Sequence, residues 1–505
     1  MEYVIQAVVN GSSRNEKTLV SEQDGKQATV PRRPVTNDRE AWKAYWEARN
    51  QSWRTEPEID GQRQEYLAER RAVAPDIAKA TYPFRGIRLS RADVEWLLAT
   101  HDNGRGPVDW DSEKLPDTFF MRKGLDLRGA DLRGAYLNNL PLACLLGGDL
   151  MEYGPKTDIQ HEIEAIHLEG ASLVFTHLEG AILSHSHLEG ANLYGAYLER
   201  ALLTGTHLEE AMMDTVQLKQ AKLWQAHLEK ARLRANFERA QLSNARLDAA
   251  NLGGANLRNA NLYQTHLEGA DLTLAHLEGA HLSKAFFDGE TSLDKVHMSD
   301  DKDGAFYLAD IHWSDVNVEV VDWQTVSVLG DEPVAEKRRL FHRRAKPKTT
   351  PVRNYPKAMR AYRQVAIVLR NQGLTEDAVR FAYRAQLMQR IILRGQRKHG
   401  QYLFSLFLDL LAGYGYKPWR SFVAYLLVIA AFATTYFIIG QTAGPVLSPL
   451  GSVVFSMTSF HGRGFFPGGI GLDDPLTAVA AFEAFVGLLI EVTFIATLTQ
   501  RLFGK

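Results

Sequence analysis

From Leu125 onward an apolar residue returns at every fifth position, a period that neither a helix nor a strand generates. Leu occupies 127, 132, 137 and 142, with Ala130 and Ala135 two places before the next Leu in the series. After an interruption between Leu145 and Glu164 the pattern resumes as an unbroken run of fourteen Leu or Met from Leu168 to Leu233. One residue is then missing, because Phe237 follows Leu233 by four, and eleven further units run to Phe287. Phe306, Ile311, Val316, Val321 and Val326 form a degenerate tail with the same spacing. A repeat of this length predicts stacked identical units, each burying its apolar side against the next.

The units read Ala130-Asp131-Leu132, Ala250-Asn251-Leu252, Ala255-Asn256-Leu257 and Ala270-Asp271-Leu272. They resemble the pentapeptide-repeat family. The resemblance implies a right-handed quadrilateral β-helix, four pentapeptides to a coil, with the central Leu and the preceding Ala both pointing inward. One large and one small inward residue suit a narrow square core. Stacking at about 4.8 Å per coil gives a rod of roughly 40 Å for some eight coils. Outward positions such as Arg258 are expected to tolerate truncation silently.

Residues 1 to about 36 are polar, end at Pro31 and Pro34, and read as a mobile arm without an apolar signal core. Trp42, Tyr45, Trp46, Tyr66 and Leu67 recur at helical spacing and predict two or three short helices. In LSRADVEWLLATH, Ser90 caps a predicted helix that buries Val94, Leu97 and Leu98 and closes one end of the repeat. Net charge is only −2, but residues 331–420 hold twenty Lys or Arg against six Asp or Glu. Their first part reads as a Pro-interrupted linker. AMRAYRQVAIVLRNQGLTEDAVRFAYRAQLMQRIILR then predicts a helical hairpin, similar to a tetratricopeptide-type pair. Cys144 is the only cysteine, so an internal disulfide is excluded.

Ser421 to Gly440 carries no charge and is long enough to cross a bilayer, with Trp419 and Tyr436 as expected interfacial anchors. Pro475 to Thr499 is a second span. Lys417 and Arg420 precede the first, Arg501 and Lys505 follow the second, and the loop between has Arg463 as its only Lys or Arg, which places both termini in the cytoplasm. LSPLGSVVFSMTSF, too short to span and followed by HGRGFFPGG, predicts a re-entrant helix. The order of parts resembles the two-helix potassium-channel pore family. In that resemblance Ser452-Val453-Val454 begins the pore helix, and Gly462-Arg463-Gly464 stands where the family has its filter glycines. The pore and filter candidates are Ser459, Phe460, His461, Gly462, Arg463 and Gly464. SFHGRGF replaces the family's Thr-Val-Gly-Tyr-Gly, and His461 and Arg463 facing the lumen would oppose cations, so potassium selectivity is not assigned.

The second span holds Glu483 and Glu491, and an intramembrane carboxylate costs about 2.5 to 3.5 kcal/mol on insertion scales. Glu491 shares a face with Ala484 and Gly487, small enough for a cavity, but also with the bulky Leu488, Ile495 and Leu498, and of the two acids it is the candidate for the conduction path. The other reading makes both acids protonated hydrogen-bond donors between helices. His167, His187, His207 and His227 recur every twenty residues, as do Glu169, Glu189, Glu209 and Glu229, so each type stacks into a column. The Glu column calls for neutralisation by His, Lys230 or a bound cation. The columns read first as repetitive surface from unit duplication, and second as a sensor of pH or a divalent ion, with the four histidines as metal candidates. YLFSLFLDLLAGYGY, just before the first span, is amphipathic and fits the membrane interface, and the basic segment is a positive-inside flank that attracts anionic lipid.

No phosphate loop or nucleophile elbow is present, so neither enzyme chemistry nor a cofactor is expected. The reading is a multidomain chain: residues 1–120 an arm and helical cap, 121–330 the β-helix, 331–355 a basic linker, 356–416 the cytosolic hairpin and juxtamembrane helix, and 417–505 a two-span α-helical membrane pore domain with a re-entrant loop. Function follows as an oligomeric ion channel of a bacterial-type cytoplasmic membrane with a cytosolic repeat regulator. Its expected partners are ions, membrane lipid, three further copies of itself, and a cytosolic protein or ligand on the repeat. The second class is a membrane-anchored interaction scaffold. Some pentapeptide-repeat proteins resemble duplex DNA and bind topoisomerases, but those rods are markedly acidic, whereas residues 165–289 hold fourteen acids against ten Lys or Arg. No nucleic-acid partner is expected, because no aromatic and basic interleaving accompanies the charge.

Overall fold

The computed structural model describes residues 32–110, 123–149, 156–300, 304–332, 355–442, 447–462 and 475–503. Most of the predicted arm, most of the basic linker, and Arg463 and Gly464 lie outside them. The chain divides into two compact units, Met1–Pro57 and Glu58–Lys505. In the first, α1 (Arg39–Glu47) stacks Trp42, Tyr45 and Trp46 into one aromatic cluster. The Arg54 guanidinium lies 3.4 Å from the Trp46 ring centre.

In the second unit, α2 (Gly61–Arg71) and α3 (Arg91–Ala99) precede the repeat. Ser90 caps α3 in a reciprocal box with Asp93, and Val94, Leu97 and Leu98 are buried as the sequence predicts. The Arg91 guanidinium, buried and paired with Glu95 at 2.8 Å, donates to the Tyr136 and Asn138 carbonyls of the first coil. The coil also begins earlier than Leu125: Arg88 forms a parallel bridge with Asp131, and Leu89 donates to the Asp131 carbonyl.

Parallel bridges link each unit to the one twenty residues on, as in His167 to His187 and His187 to His207. Central Leu and preceding Ala are buried throughout. The second residue after each central Leu is left-handed, from Gly170 and Phe175 through Lys230, and forms the corner of the square. After Leu233 no residue takes that conformation until Arg239, so the missing residue is a corner, and bridges there become nineteen apart (Gln217 to Asn236). A single lost corner leaves the inward register intact because the buried Phe237 that follows resumes the core.

Across the first interruption the partners are thirty-six apart, as in Leu146 to Ile182, and the extra chain carries α4 (Asp158–Glu164). At the other end α5 (Tyr355–Asn371) and α6 (Thr375–Gly395) form the predicted antiparallel pair. Its position is what the sequence did not disclose. Gln364 accepts from the Asp310 N–H, Gln372 accepts from Val318 N–H and donates to the Val316 carbonyl, and the Tyr362 hydroxyl accepts from Leu329 N–H. These groups lie at the last turns of the repeat, where no further coil follows among the described residues, and an uncovered edge is a template for pairing with another chain.

Beyond the pair stand α7 (His399–Ala412), α8 (Pro418–Thr442), α9 (Pro449–Phe460) and α10 (Pro475–Phe503). Trp419–Gln441 and Pro475–Thr499 are long and apolar enough to cross a membrane. Asp409 of α7 binds Arg390 of α6 at 2.6 Å and Arg420 of α8 at 3.2 Å, and accepts from the Tyr383 hydroxyl at 2.9 Å. One carboxylate thus joins the hairpin to the first long apolar helix. Leu403, Phe404, Phe407 and Leu410 of α7 stay exposed.

Candidate functional site

The short helix α9 packs against both long helices. Ser448 caps its start, and Pro449 fits its first turn because a proline there loses no helical hydrogen bond. Phe455 sits with Tyr436 and Leu476 in one buried cluster, and Phe460 with Leu411, Ile429 and Ile490 in another. Glu483 is fully buried between the three helices. The Tyr436 hydroxyl donates to it at 2.6 Å, and the Ser456 hydroxyl lies 2.5 Å from its other oxygen and 3.1 Å from the Ile429 carbonyl. Ser456 has one proton for two acceptors, so a protonated Glu483 donating to Ser456, which donates to Ile429, satisfies every oxygen. These contacts hold the acid between the helices.

Two expectations are corrected here. Tyr436 is not an interfacial anchor: it is completely buried, because its hydroxyl reaches Glu483. Gly487 does not open a cavity beside Glu491. A Cβ at Gly487 would collide with the Phe460 carbonyl oxygen, so the glycine admits the α9 backbone.

Glu491 pairs with the His461 Nδ1 at the end of α9, and the Tyr425 hydroxyl lies 3.3 Å from His461 Nε2. His461 therefore brings a compensating acid with it, which changes the expectation of an uncompensated positive ring. The pair keeps 39% and 36% side-chain exposure and remains open to solvent or a further chain. Ser459 and Phe460 are buried, whereas Gly462 is exposed with a left-handed φ of 64°. Sequence reasoning named the two acids and the histidine, gave Tyr436 a different role, and did not single out Ser456 or Tyr425. A tyrosine and a serine on neighbouring apolar segments were the available signal, yet no spacing ties them to Glu483.

On the repeat, the His167, His187, His207 and His227 rings stack at 5.0, 5.1 and 4.7 Å. His167, His187 and His207 turn Nδ1 to the Glu two residues on, at 3.0 to 3.1 Å. His227 lies 3.7 Å from Glu229, which Arg246 also binds at 2.9 Å. The Glu column is thus met by histidine and arginine, while Lys230 approaches Glu210 instead. His187 also faces Glu162 at 3.0 Å. Burial pulls its pKa down, but Glu189 and Glu162 prevail and hold it above the ordinary 6.5. Folded protein then binds the proton more tightly than unfolded, so this stabilisation is complete below the ordinary histidine pKa and is lost as pH rises through the folded one. Thermal unfolding of wild type against His187→Gln should show its largest gap at mildly acidic pH and a shrinking gap above neutrality. A gap that widens with pH contradicts the pairing.

A family model for pentapeptide repeats matches residues 171–210, 213–248 and 235–273, in eight copies. Among solved structures the chain is similar to HetL, a pentapeptide repeat protein involved in heterocyst differentiation regulation from the cyanobacterium Nostoc, at 24% identity over 37% of this chain and 86% of that one, with a TM-score of 0.15. It is also similar to QnrB1, a plasmid-mediated fluoroquinolone resistance protein, at 18% identity over 31% and 81%, with a TM-score of 0.26. Rfr23, a pentapeptide repeat protein from the cyanobacterium Cyanothece, is 26% identical over 32% and 88%, with a TM-score of 0.10. A search of curated proteins gives no match. Taken with the period-five core and the bridges every twenty residues, the match shows that this chain carries a pentapeptide-repeat region, followed by a C-terminal α-helical region with two long apolar helices.

Proposed function

We propose that the chain is one subunit of an oligomeric ion channel in a cytoplasmic membrane. In this reading α8 and α10 cross the bilayer, α9 re-enters between them, and the repeat domain is the cytosolic regulator. The observation that carries it is α9, a twelve-residue apolar helix too short to span, packed between two helices of spanning length and ending at the open His461–Glu491 pair. Such a helix-turn at membrane depth is tolerated where protein or a water path solvates it. Large side chains such as Leu427, Phe482, Phe485 and Ile495 stand uncovered on the long helices, and apolar surface of this extent calls for lipid or further subunits. Two helices do not enclose a water path, so a closed ring of copies is required, and four is taken from the channel resemblance. The gating route runs from the repeat through the docked hairpin to Asp409 and Arg420, with α7 in the interface.

Recordings from purified full-length protein in planar bilayers test this. Arg463→Gln should raise cation permeability relative to chloride, and Glu491→Gln should lower it, because the two charges bias ion flow in opposite senses. Protein that conducts at no voltage, pH or ligand tried supports the membrane-anchored scaffold instead. Conduction unchanged by both substitutions keeps the channel and removes these residues from its lumen.

A further inference from the structure

The chain that interrupts the repeat builds a cluster that neither the family pattern nor the channel reading uses. α4 folds back over the next coil and sets the His161 ring on that of His185, with centres 3.7 Å apart and planes at 26°. His185 is a corner residue, left-handed at φ 59°, and such corners elsewhere carry exposed side chains such as Phe175 and Glu210. Here the ring is held from both sides. Below it lies Gly205, where a Cβ would come within 2.6 Å of the imidazole. Beside it Asp149 enters with only 3% of its side chain exposed.

Asp149, His161 and His185 each offer a ligand atom, and these atoms lie within 4.8 Å of one another. Lys156, 4% exposed, occupies one oxygen of Asp149 at 2.5 Å and shares its charge with Glu164 at 2.6 Å. The other oxygen, Oδ2, faces His161 Nδ1 at 3.4 Å. That nitrogen is buried and makes no hydrogen bond. A buried imidazole nitrogen that makes no hydrogen bond carries a desolvation cost that a metal bond removes. We propose that these three side chains bind a divalent transition metal of the zinc class.

The chemistry selects the class. Two imidazoles and one carboxylate suit borderline ions such as Zn²⁺ or Co²⁺, whereas Mg²⁺ and Ca²⁺ need oxygen donors. Bonds of about 2.0 to 2.1 Å require the donor atoms to close to roughly 3.3 Å and the two stacked rings to turn until their in-plane nitrogen lone pairs converge on the ion. Lys156 holds the outer oxygen of Asp149 as a supporting partner orients a ligating carboxylate. Three protein donors leave a fourth position for water. The ion would pin α4 to the coil beneath it, so binding would stabilise the fold by mass action. None of this depends on the membrane reading.

The test uses full-length protein in detergent, stripped with chelator and titrated with Zn²⁺ by calorimetry and with Co²⁺ by visible absorption. Wild type should bind one more equivalent of Zn²⁺ than His161→Gln or His185→Gln, and give a tetrahedral Co²⁺ spectrum that both variants lose. Zn²⁺ should raise the unfolding temperature of wild type more than that of either variant. His207→Gln, which alters a stacked ring of the half-buried ladder, should retain that equivalent. His161 lies on the added segment outside the repeat core, so its substitution keeps the test open if His185→Gln fails to fold. Equal stoichiometry in wild type and His161→Gln, or loss of the equivalent only in His207→Gln, overturns the site. So does wild type that takes up no Zn²⁺, which leaves an Asp149–His161 ion pair beside a neutral ring.

Discussion

Leu252→Asp is expected to unfold the coils on either side of it, lowering stability by about 5 kcal/mol through lost apolar burial and an unsatisfied buried carboxyl. Leu252 is completely buried and its backbone donates to Asp271 of the next coil, so the introduced acid has neither water nor a cation to meet. In a stacked repeat each coil leans only on its neighbours, and disorder in one removes the interface of the next. Chemical unfolding followed by circular dichroism should show a large fall in midpoint and a reduced amplitude. Arg258 is not the silent outward control that its place in the repeat suggests. It binds the nearly buried Glu278 at 3.0 Å, which makes its removal costly. The exposed Arg234 is the better comparison, and Arg234→Ala should stay within about 0.5 kcal/mol of wild type. Equal midpoints for Leu252→Asp and Arg234→Ala would refute the inward register.

Glu483→Ala should destabilise the helical region by about 3 kcal/mol, from the cavity and from the Tyr436 and Ser456 hydroxyls left without a partner. Glu483→Gln should cost less than about 1 kcal/mol, because its amide both accepts from Tyr436 and donates to Ser456, as a protonated carboxyl does. Unfolding of the purified protein in detergent, read by tryptophan fluorescence, separates the two. If both variants lose the same stability, the carboxyl is required as a charge and the hydrogen-bonded arrangement does not explain its burial.

The repeat was legible because its signal is local and redundant. Every central Leu from Leu168 to Leu233 repeats the same instruction, so even a lost corner after Leu233 leaves the core readable. The capped helix at Ser90, the hairpin and the two long apolar helices were legible for the same reason, since caps and apolar periods are written in adjacent residues. The columns of His and Glu followed from the twenty-residue coil alone, although the partners of Arg258 and Glu229 did not.

What the tertiary structure decided are the contacts between segments that share no period. Gln364, Gln372 and Tyr362 look like ordinary helix residues until the last coil presents its N–H groups to them. Tyr436 becomes a buried donor only because a helix forty-seven residues later brings Glu483 to it. Gly487 serves as a contact with Phe460 and not as a void. Asp149, His161 and His185 converge because the interruption folds over the coil that follows it. The sequence by itself determined which elements exist and which face each buries, because those preferences act over a few residues. Only the folded chain decided which polar groups meet, because a buried donor or acceptor takes its partner from whatever packing places within hydrogen-bond reach.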